Sequence, residues 1–499
     1  VERRFTSEGL FHQLMQTMVP GSTAFEGVYQ VQPGHILKVQ RSNGRLEVSD
    51  STYWDINFPR MDERDFTRHE ADHVSAVRSA LLEAVELRMV ADVPVGCYLS
   101  GGIDSCSILG LASAVSQGPV KAFTIGFDDV RYDESPIAQQ MAEATGAQQD
   151  LMRLSGNELY GHMEQTLWHT ERTIYNTLAV AKFLMSRHVN SVDYKVVMTG
   201  EGSDELFGGY PAFRRDMFLH GLDDLPKEER EAWECLLQDS NSLVQGAMLS
   251  AAQVDDPDLE AVVGFTPSCL QPWLACVPLV PDLLAEHHRF AVEGYSPGKA
   301  IAAQLDGDQL DGRHALDKAQ YVWIKTMLEG QILTWGGDRV DMANSMEARP
   351  AFLDHHLAAV AVQVPPELRI KGKIEKYVLR EAMAGLLPDV LYKREKFAFM
   401  APPAHTEPDK WAQMQNLAAD YLSDEAIDAA GLLSKSGVKA LFDRHDSPET
   451  TEADRVQMDA VINHLLGVQM LHRMFVATDV PQQARQEAER LGWRIPVEA

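Results

Sequence analysis

The period of apolar and polar positions changes several times along the chain, and each change predicts an element. Up to about residue 60 the apolar residues fall in short runs, "GVYQVQPGHILKVQ" and "RLEVSDSTYWDI", broken by Gly, Asn and Ser. That pattern predicts extended pieces joined by turns. The acidic, polar stretch "FPRMDERDFTRHEADH" then leads into a helix that places Val77, Leu81, Ala84 and Val85 on one face. From there β-type runs alternate with helical periods. "VPVGCYL" precedes a helix carrying Ile108, Leu111, Ala112 and Val115, and "VKAFTIGF" follows it. A helix with Val180, Phe183, Leu184 and Met185 precedes "YKVVMTG". Such alternation predicts an α/β fold, a parallel sheet flanked by helices with ligands at the carboxyl ends of the strands. Between about 220 and 320 the pattern is mostly helical, with "DDLPKEER" and "QVDDPDLE" as solvated turns, and after 321 it is largely helical. The helical C-terminal half is therefore expected to wrap the sheet. No internal repeat or long low-complexity tract is present.

Composition narrows the classes of function. The chain has 499 residues, 45% of them hydrophobic, enough for substantial globular cores. Its 45 basic and 73 acidic residues give a formal charge of -28, which repels a nucleic-acid backbone over most of the surface. The five cysteines show no C-x-x-C spacing, which suggests neither a disulfide framework nor a zinc site and fits a reducing cytoplasm. No apolar run approaches the roughly 20 residues of a membrane helix, and no secretory leader pattern is visible. The chain opens on Val1 rather than Met, so loss or removal of an upstream piece is expected.

The candidate chemistry starts at "VPVGCYLSGGIDSCSILGLASAV". A buried strand, then Ser100 to Ser105, then a helix puts backbone N–H groups, unencumbered at Gly101 and Gly102, at a helix N-terminus where an anion is favoured. Ser100 and Ser105 add hydroxyls. Asp104 would repel phosphate unless a cation lay between, which implies Mg2+. The plainer alternative is a Gly-rich turn with Ser and Asp as caps. A Walker-type lysine is missing.

"LSGGIDS" resembles the pyrophosphate loop of the adenylate-forming ATP pyrophosphatases. In that superfamily ATP is cut between its α and β phosphates, so a lysine aimed at a γ-phosphate is not needed. A second stretch, "VVMTGEGSDELFGGY", resembles the synthetase domain of glutamine-dependent asparagine synthetases. The resemblance implies the adenine-nucleotide α-hydrolase-like fold. It also implies Mg2+ on Asp104 and Asp204, and Glu201 facing an acyl-adenylate and helping to handle the incoming amine. A third match covers "DRVDMANSMEARPAFLDHHL" and "KGKIEKYVLREAM", where the family's catalytic lysine corresponds to Lys376. A preplaced cation there would stabilise charge in the transition state. By the same resemblance ATP is expected on Leu99, Ser100, Gly101, Gly102, Asp104, Ser105, Ile125, Thr199, Gly200 and Lys396, with Ile125 meeting adenine through its backbone and Lys396 contacting phosphate. His355 and His356 read as structural or exposed, and Cys97 and Cys106 as small buried hydrophobes.

The pattern departs from the family in two places. Family members begin with an N-terminal nucleophile glutaminase domain, of which "GSTAFEGVYQVQPGHILKV" resembles only the closing segment. Residues 1–60 therefore read as a β-rich remnant of that domain, 66–480 as the synthetase-like domain and 481–499 as a tail. Val1 is no nucleophile, so this chain is not expected to hydrolyse glutamine unless a glutaminase domain or subunit is supplied. Second, aspartate-using relatives carry a basic residue near the position of Thr177, where the nearest cations are Arg172 and Lys182. "RPAFLD" also shifts the proline of the usual "RVPFLD".

The leading expectation is an ATP- and Mg2+-dependent ligase. It adenylates a small carboxylic acid, aspartate by default, and transfers ammonia or an amine to it, releasing AMP and pyrophosphate. The alternatives are lactam-type ring closure, whose enzymes place a tyrosine where Glu201 stands, a tRNA-modifying pyrophosphatase, and a non-catalytic nucleotide-binding homologue. No nucleic-acid or membrane partner is expected, and homodimerisation is left open.

Overall fold

The computed structural model describes residues 3–15, 18–221, 253–393 and 400–493. At the N-terminal end a helix, Ser7–Met15, precedes a hairpin of β1 (His35–Ser42) and β2 (Arg45–Thr52), paired from His35 opposite Thr52 to Ser42 opposite Arg45. Asn43 and Gly44 turn it, both at positive φ, the conformation that makes Asn-Gly the preferred two-residue hairpin loop.

The centre is a five-stranded sheet of β3 (Val95–Tyr98), β4 (Lys121–Phe127), β5 (Gln148–Leu154), β6 (Val196–Thr199) and β7 (Glu347–Pro350), in the order β5-β4-β3-β6-β7. Every neighbouring pair is parallel. The chain moves outward from β3 through β4 to β5 and then returns to place β6 on the other side of β3. The strand order therefore reverses between β3 and β6, the point at which an open parallel sheet leaves a crevice at its carboxyl edge.

The helices around the sheet bury the faces that their spacing predicted. Glu70–Met89 buries Val77, Leu81, Ala84 and Val85. Ile103–Val115 is buried through its first ten residues, and Leu178–Ser191 buries Val180, Phe183, Leu184 and Met185. Cys97 and Cys106 are fully buried, and burial pushes the Cys97 thiol up to about 12; His355 and His356 are exposed. β5 and β7 escape the periodicity. β5 alternates little and is half exposed at the edge, and β7, Glu-Ala-Arg-Pro, carries no apolar run.

"QVDDPDLE" is more than the expected solvated turn. Asp256 accepts hydrogen bonds from the amides of Asp258 and Leu259 and so starts the helix Pro257–Val263, which buries Leu259. The expected turn "DDLPKEER" lies outside the described residues.

Two buried polar clusters brace the helical part of the chain. Asp317 is fully buried and pairs with Arg64 at 2.5 Å and with Arg369; Arg369 also donates to Gln320, which in turn donates to the backbone carbonyl of Glu205. Farther along, Asp459 receives His405 Nδ1 at 2.7 Å and His445 Nε2 at 3.0 Å. The outer nitrogens of the two rings rest on Glu452 at 3.1 Å and Asp446 at 3.4 Å, so each ring nitrogen is already matched to a carboxylate. Among the described residues no helix is long and apolar enough to cross a membrane.

Candidate active site

The crevice at the β3/β6 switch point holds an open cleft, walled by Tyr98, Leu99, Ser100, Asp104, Ser105, Phe123, Ile125, Lys182, Met185, Gly200, Glu201, Gly202, Asp204, Glu205, Tyr210 and Ile332. Of the residues expected from sequence to meet nucleotide, Leu99, Ser100, Asp104, Ser105, Ile125 and Gly200 are on this wall. Gly101, Gly102 and Thr199 belong to the same loop and strand end without being lining residues, and Lys396 lies outside the described residues.

The loop after β3 is held by its own serines. Ser100 N–H donates to Ser105 Oγ at 3.1 Å, Gly102 N–H donates to Ser100 Oγ at 3.3 Å, and Ser105 Oγ donates to the Gly102 carbonyl at 3.2 Å. Gly101 sits at φ +82°, and a Cβ there would fall 2.8 Å from the Glu134 carbonyl. The helix Ile103–Val115 starts at Gly102 with no side-chain cap. That leaves its N-terminal end of the dipole turned toward the cleft, as an anion site requires.

Asp104 and Asp204 come from the first turns of two helices, Ile103–Val115 and Ser203–Phe207. Gly200 lets those turns approach, because a Cβ on it would lie 3.0 Å from both Asp104 Cβ and Ser105 N. The two carboxylates meet on a single ammonium: Lys376 Nζ is 2.6 Å from Asp104 Oδ1 and 2.7 Å from Asp204 Oδ1. Ser203 Oγ also donates to Asp104 Oδ1 at 2.7 Å. Lys376 is 1% exposed and adopts a left-handed backbone, φ 53° and ψ 35°, between the short strands Ile370–Lys371 and Ile374–Glu375 and the helix Tyr377–Ala382. A non-glycine residue in that conformation costs about 1–3 kcal/mol and persists where its surroundings enforce it. Here Arg214 pairs with the preceding Glu375 at 2.8 Å, both almost fully buried.

The three acidic residues of the second motif divide their roles. Asp204 joins Lys376. Glu205 is held instead by Trp323 Nε1 at 2.9 Å and Tyr210 OH at 3.0 Å; burial and the adjacent Asp204 push its carboxyl up to about 7. Glu201 pairs with Lys182 at 2.9 Å. Burial opposes the Glu201 charge, but Lys182 and the Thr199 hydroxyl outweigh it and hold the carboxyl below its ordinary value.

Thr177, Arg172 and Lys182, the residues around the expected acid-binding position, fall in three different places. Arg172 is spent on the Gly330 carbonyl at 2.7 Å and on Met18 Sδ at 2.9 Å. Thr177 lines a different, mostly apolar cavity with Tyr160, Tyr175 and Trp273. Lys182 alone of the three is on the wall of the cleft. Sequence reasoning gave no role to Tyr98, Asp341 or Gly209. Only Gly209 carries a readable signal, as the second glycine of "FGGY": a Cβ on it would fall 2.0 Å from both Asp204 Oδ1 and Lys376 Cε.

The donor set suits the group that Asp104 implied from sequence. Two hard carboxylate oxygens already converge on a cation at the mouth of a phosphate-type loop, and hard oxygens are what Mg2+ prefers. Asp104 and Asp204 are the residues that would hold it.

The family model described as asparagine synthase matches residues 76–473. The chain is 33% identical to the amidase chyE of Penicillium rubens and 33% identical to the amidase chry2 of Gibberella zeae. In each case the match covers 77% of this chain and 60% of the relative. It is 28% identical to asparagine synthetase [glutamine-hydrolyzing] 1 of Bacillus subtilis, over 81% of this chain and 61% of that protein. The chain thus spans about three fifths of the length of these curated relatives. With the switch-point loop, the paired aspartates and the buried lysine all inside the matched region, this chain belongs to the asparagine synthase family.

Proposed function

We propose that the chain is the synthetase part of an ATP-dependent amide-forming ligase. The observation that carries this reading is the meeting of Asp104, Asp204 and Lys376 at the carboxyl ends of β3 and β6, with Glu201 and its partner Lys182 on the wall of the same cleft. The loop of Ser100 to Ser105 would receive the β and γ phosphates of ATP at the helix N-terminus. Mg2+ on Asp104 and Asp204 would neutralise phosphate charge, and Lys376 would stabilise the charge that develops as pyrophosphate leaves. A carboxylate oxygen attacks the α-phosphorus, pyrophosphate departs, and ammonia or an amine then displaces AMP from the acyl-adenylate. The two names borne by the relatives, asparagine synthetase and amidase, both concern amide bonds.

Aspartate is the default acid. It is weakened by Thr177, which stands in a separate apolar cavity, and by Arg172, which is occupied by backbone. Acids without a second carboxylate therefore belong beside aspartate in any screen. The test is ATP–pyrophosphate exchange with L-aspartate and a panel of aliphatic and aromatic monocarboxylic acids. Exchange that depends on one acid supports the reading. Its complete absence in the presence of ATP and Mg2+ would leave a nucleotide-binding homologue without ligase activity.

A further inference from the structure

Lys182 has no role assigned by the reading above, yet its setting is unusually specific. It rises from the middle of the helix Leu178–Ser191 into the cleft wall, with its side chain 12% exposed. Its ammonium is 2.9 Å from Glu201 Oε1 and stands over the Tyr98 ring, 4.8 Å from the centroid. Tyr98 OH in turn donates to Asp341 Oδ1 at 2.7 Å. One cation thus meets a carboxylate and an aromatic face, and the hydroxyl of that ring is held by a second carboxylate. A buried lysine is commonly neutralised by desolvation. Here burial pulls its pKa down, but Glu201 and Asp341 prevail and hold it above the ordinary lysine value.

Glu201 shows the other half of the arrangement. Lys182 engages Oε1, while Oε2 is buried and accepts no well-formed hydrogen bond among the described residues, the Thr199 hydroxyl acting on the carboxylate only as a nearby dipole. A buried carboxylate oxygen without a partner is unusual in a folded protein and calls for an explanation. A structural ion pair would be expected to satisfy both oxygens. This one leaves acceptor capacity in reserve, on a side chain that lines the cleft.

We propose that Lys182 is the positioning residue for Glu201, pinning the carboxylate so that it takes the proton from the attacking amine. This inference rests on the ligase reading and concerns only its second half. The amine nitrogen forms a bond to the acyl carbon and gives a proton to Glu201. The carbon–oxygen bond to the phosphate then breaks, AMP leaves with the electron pair, and Glu201 returns its proton to solvent. Adenylation, the first half, moves no proton to Glu201 and makes no such demand on Lys182. Asp341, which accepts from Tyr98 OH, adds a second electrostatic attraction on the same ammonium.

The two halves are separable by experiment. Pyrophosphate exchange reports adenylation, and amide formation reports the whole reaction, both measured with L-aspartate and with the acid giving the fastest wild-type exchange. Lys182→Met is expected to lower kcat for amide formation with ammonia by about a hundredfold, the low end of general-base effects, in far greater proportion than exchange. The loss should shrink with hydroxylamine, a weaker base whose nitrogen gives up its proton more readily. Glu201→Gln combined with Lys182→Met should lose little beyond Glu201→Gln alone, because the two act as one unit. Lys182→Gln, which keeps a donor, provides the second variant if Lys182→Met does not fold. Equal loss in both half-reactions, or additive losses in the double variant, would overturn the inference. Wild-type protein that shows no exchange with any acid would instead sink the ligase reading itself.

Discussion

Lys376 Nζ lies 2.6 Å from Asp104 Oδ1, although 272 residues separate the two in sequence. The lysine also reaches Asp204, so a single buried ammonium compensates two carboxylates contributed by two different helix starts. Lys376→Ala removes the cation they share. Acid-dependent exchange should fall by about 10²–10³-fold, the range for losing one preplaced electrostatic group. Steady-state exchange at saturating ATP and acid measures it, and a variant with full activity would remove Lys376 from the site.

Gly209 makes that arrangement possible. A methyl group there would lie 2.0 Å from both Lys376 Cε and Asp204 Oδ1, far inside van der Waals contact, so it would push the two side chains out of their observed pairing. Gly209→Ala should therefore resemble Lys376→Ala in exchange. Its thermal stability should also drop by about 1–3 kcal/mol, the usual range for overpacking a filled site. Wild-type exchange in Gly209→Ala would mean that Lys376 can leave its observed position without consequence.

The parts of this site that were legible in the sequence are those confined to one turn of chain. "LSGGIDS" and "GEGSDE" each place their glycines and carboxylates within six or seven residues, so strand, loop and helix start can be read together. The motif could not separate the roles of Glu201, Asp204 and Glu205, because their partners, Lys182, Lys376 and Trp323, come from three other segments. Asp341 shows the limit most clearly. In sequence it is one polar residue of "DRVDMANS", and only the fold brings it to Tyr98 and Lys182. The sheet behaved in the same way: β3, β4 and β6 are apolar and announced themselves, whereas the edge strands β5 and β7 are held by pairing to their neighbours.

Asp317 anchors a buried ionic network outside the cleft. It is fully buried between Arg64 and Arg369, and the network continues through Gln320 to the backbone of Glu205. Asp317→Ala strands two buried guanidinium groups around one lost carboxylate, a change that typically costs about 3–5 kcal/mol. Urea unfolding should show a loss of that order. A loss below about 1 kcal/mol, the scale of an exposed pair, would mean that solvent reaches the cluster.

The His405–Asp459–His445 cluster gives stability a pH dependence with a definite sign. Burial opposes the His405 charge, but Asp459 and Glu452 outweigh it and raise its pKa above the free value. That contribution is complete below about pH 6.5, the unfolded histidine value, and is lost as pH rises through the folded value. Burial likewise opposes the Asp459 charge, and His405 and His445 overcome it to lower that pKa. Its contribution is present above about pH 4 and is lost as pH falls through the folded value. The pair therefore stabilises most between about pH 4 and 6.5. His405→Asn should destabilise the protein more at pH 6 than at pH 8.5, read as the difference in unfolding free energy from wild type at each pH. An equal difference at both would show that His405 carries no charge in the folded protein. The cluster would then be held by neutral hydrogen bonds, which do not distinguish the two conditions.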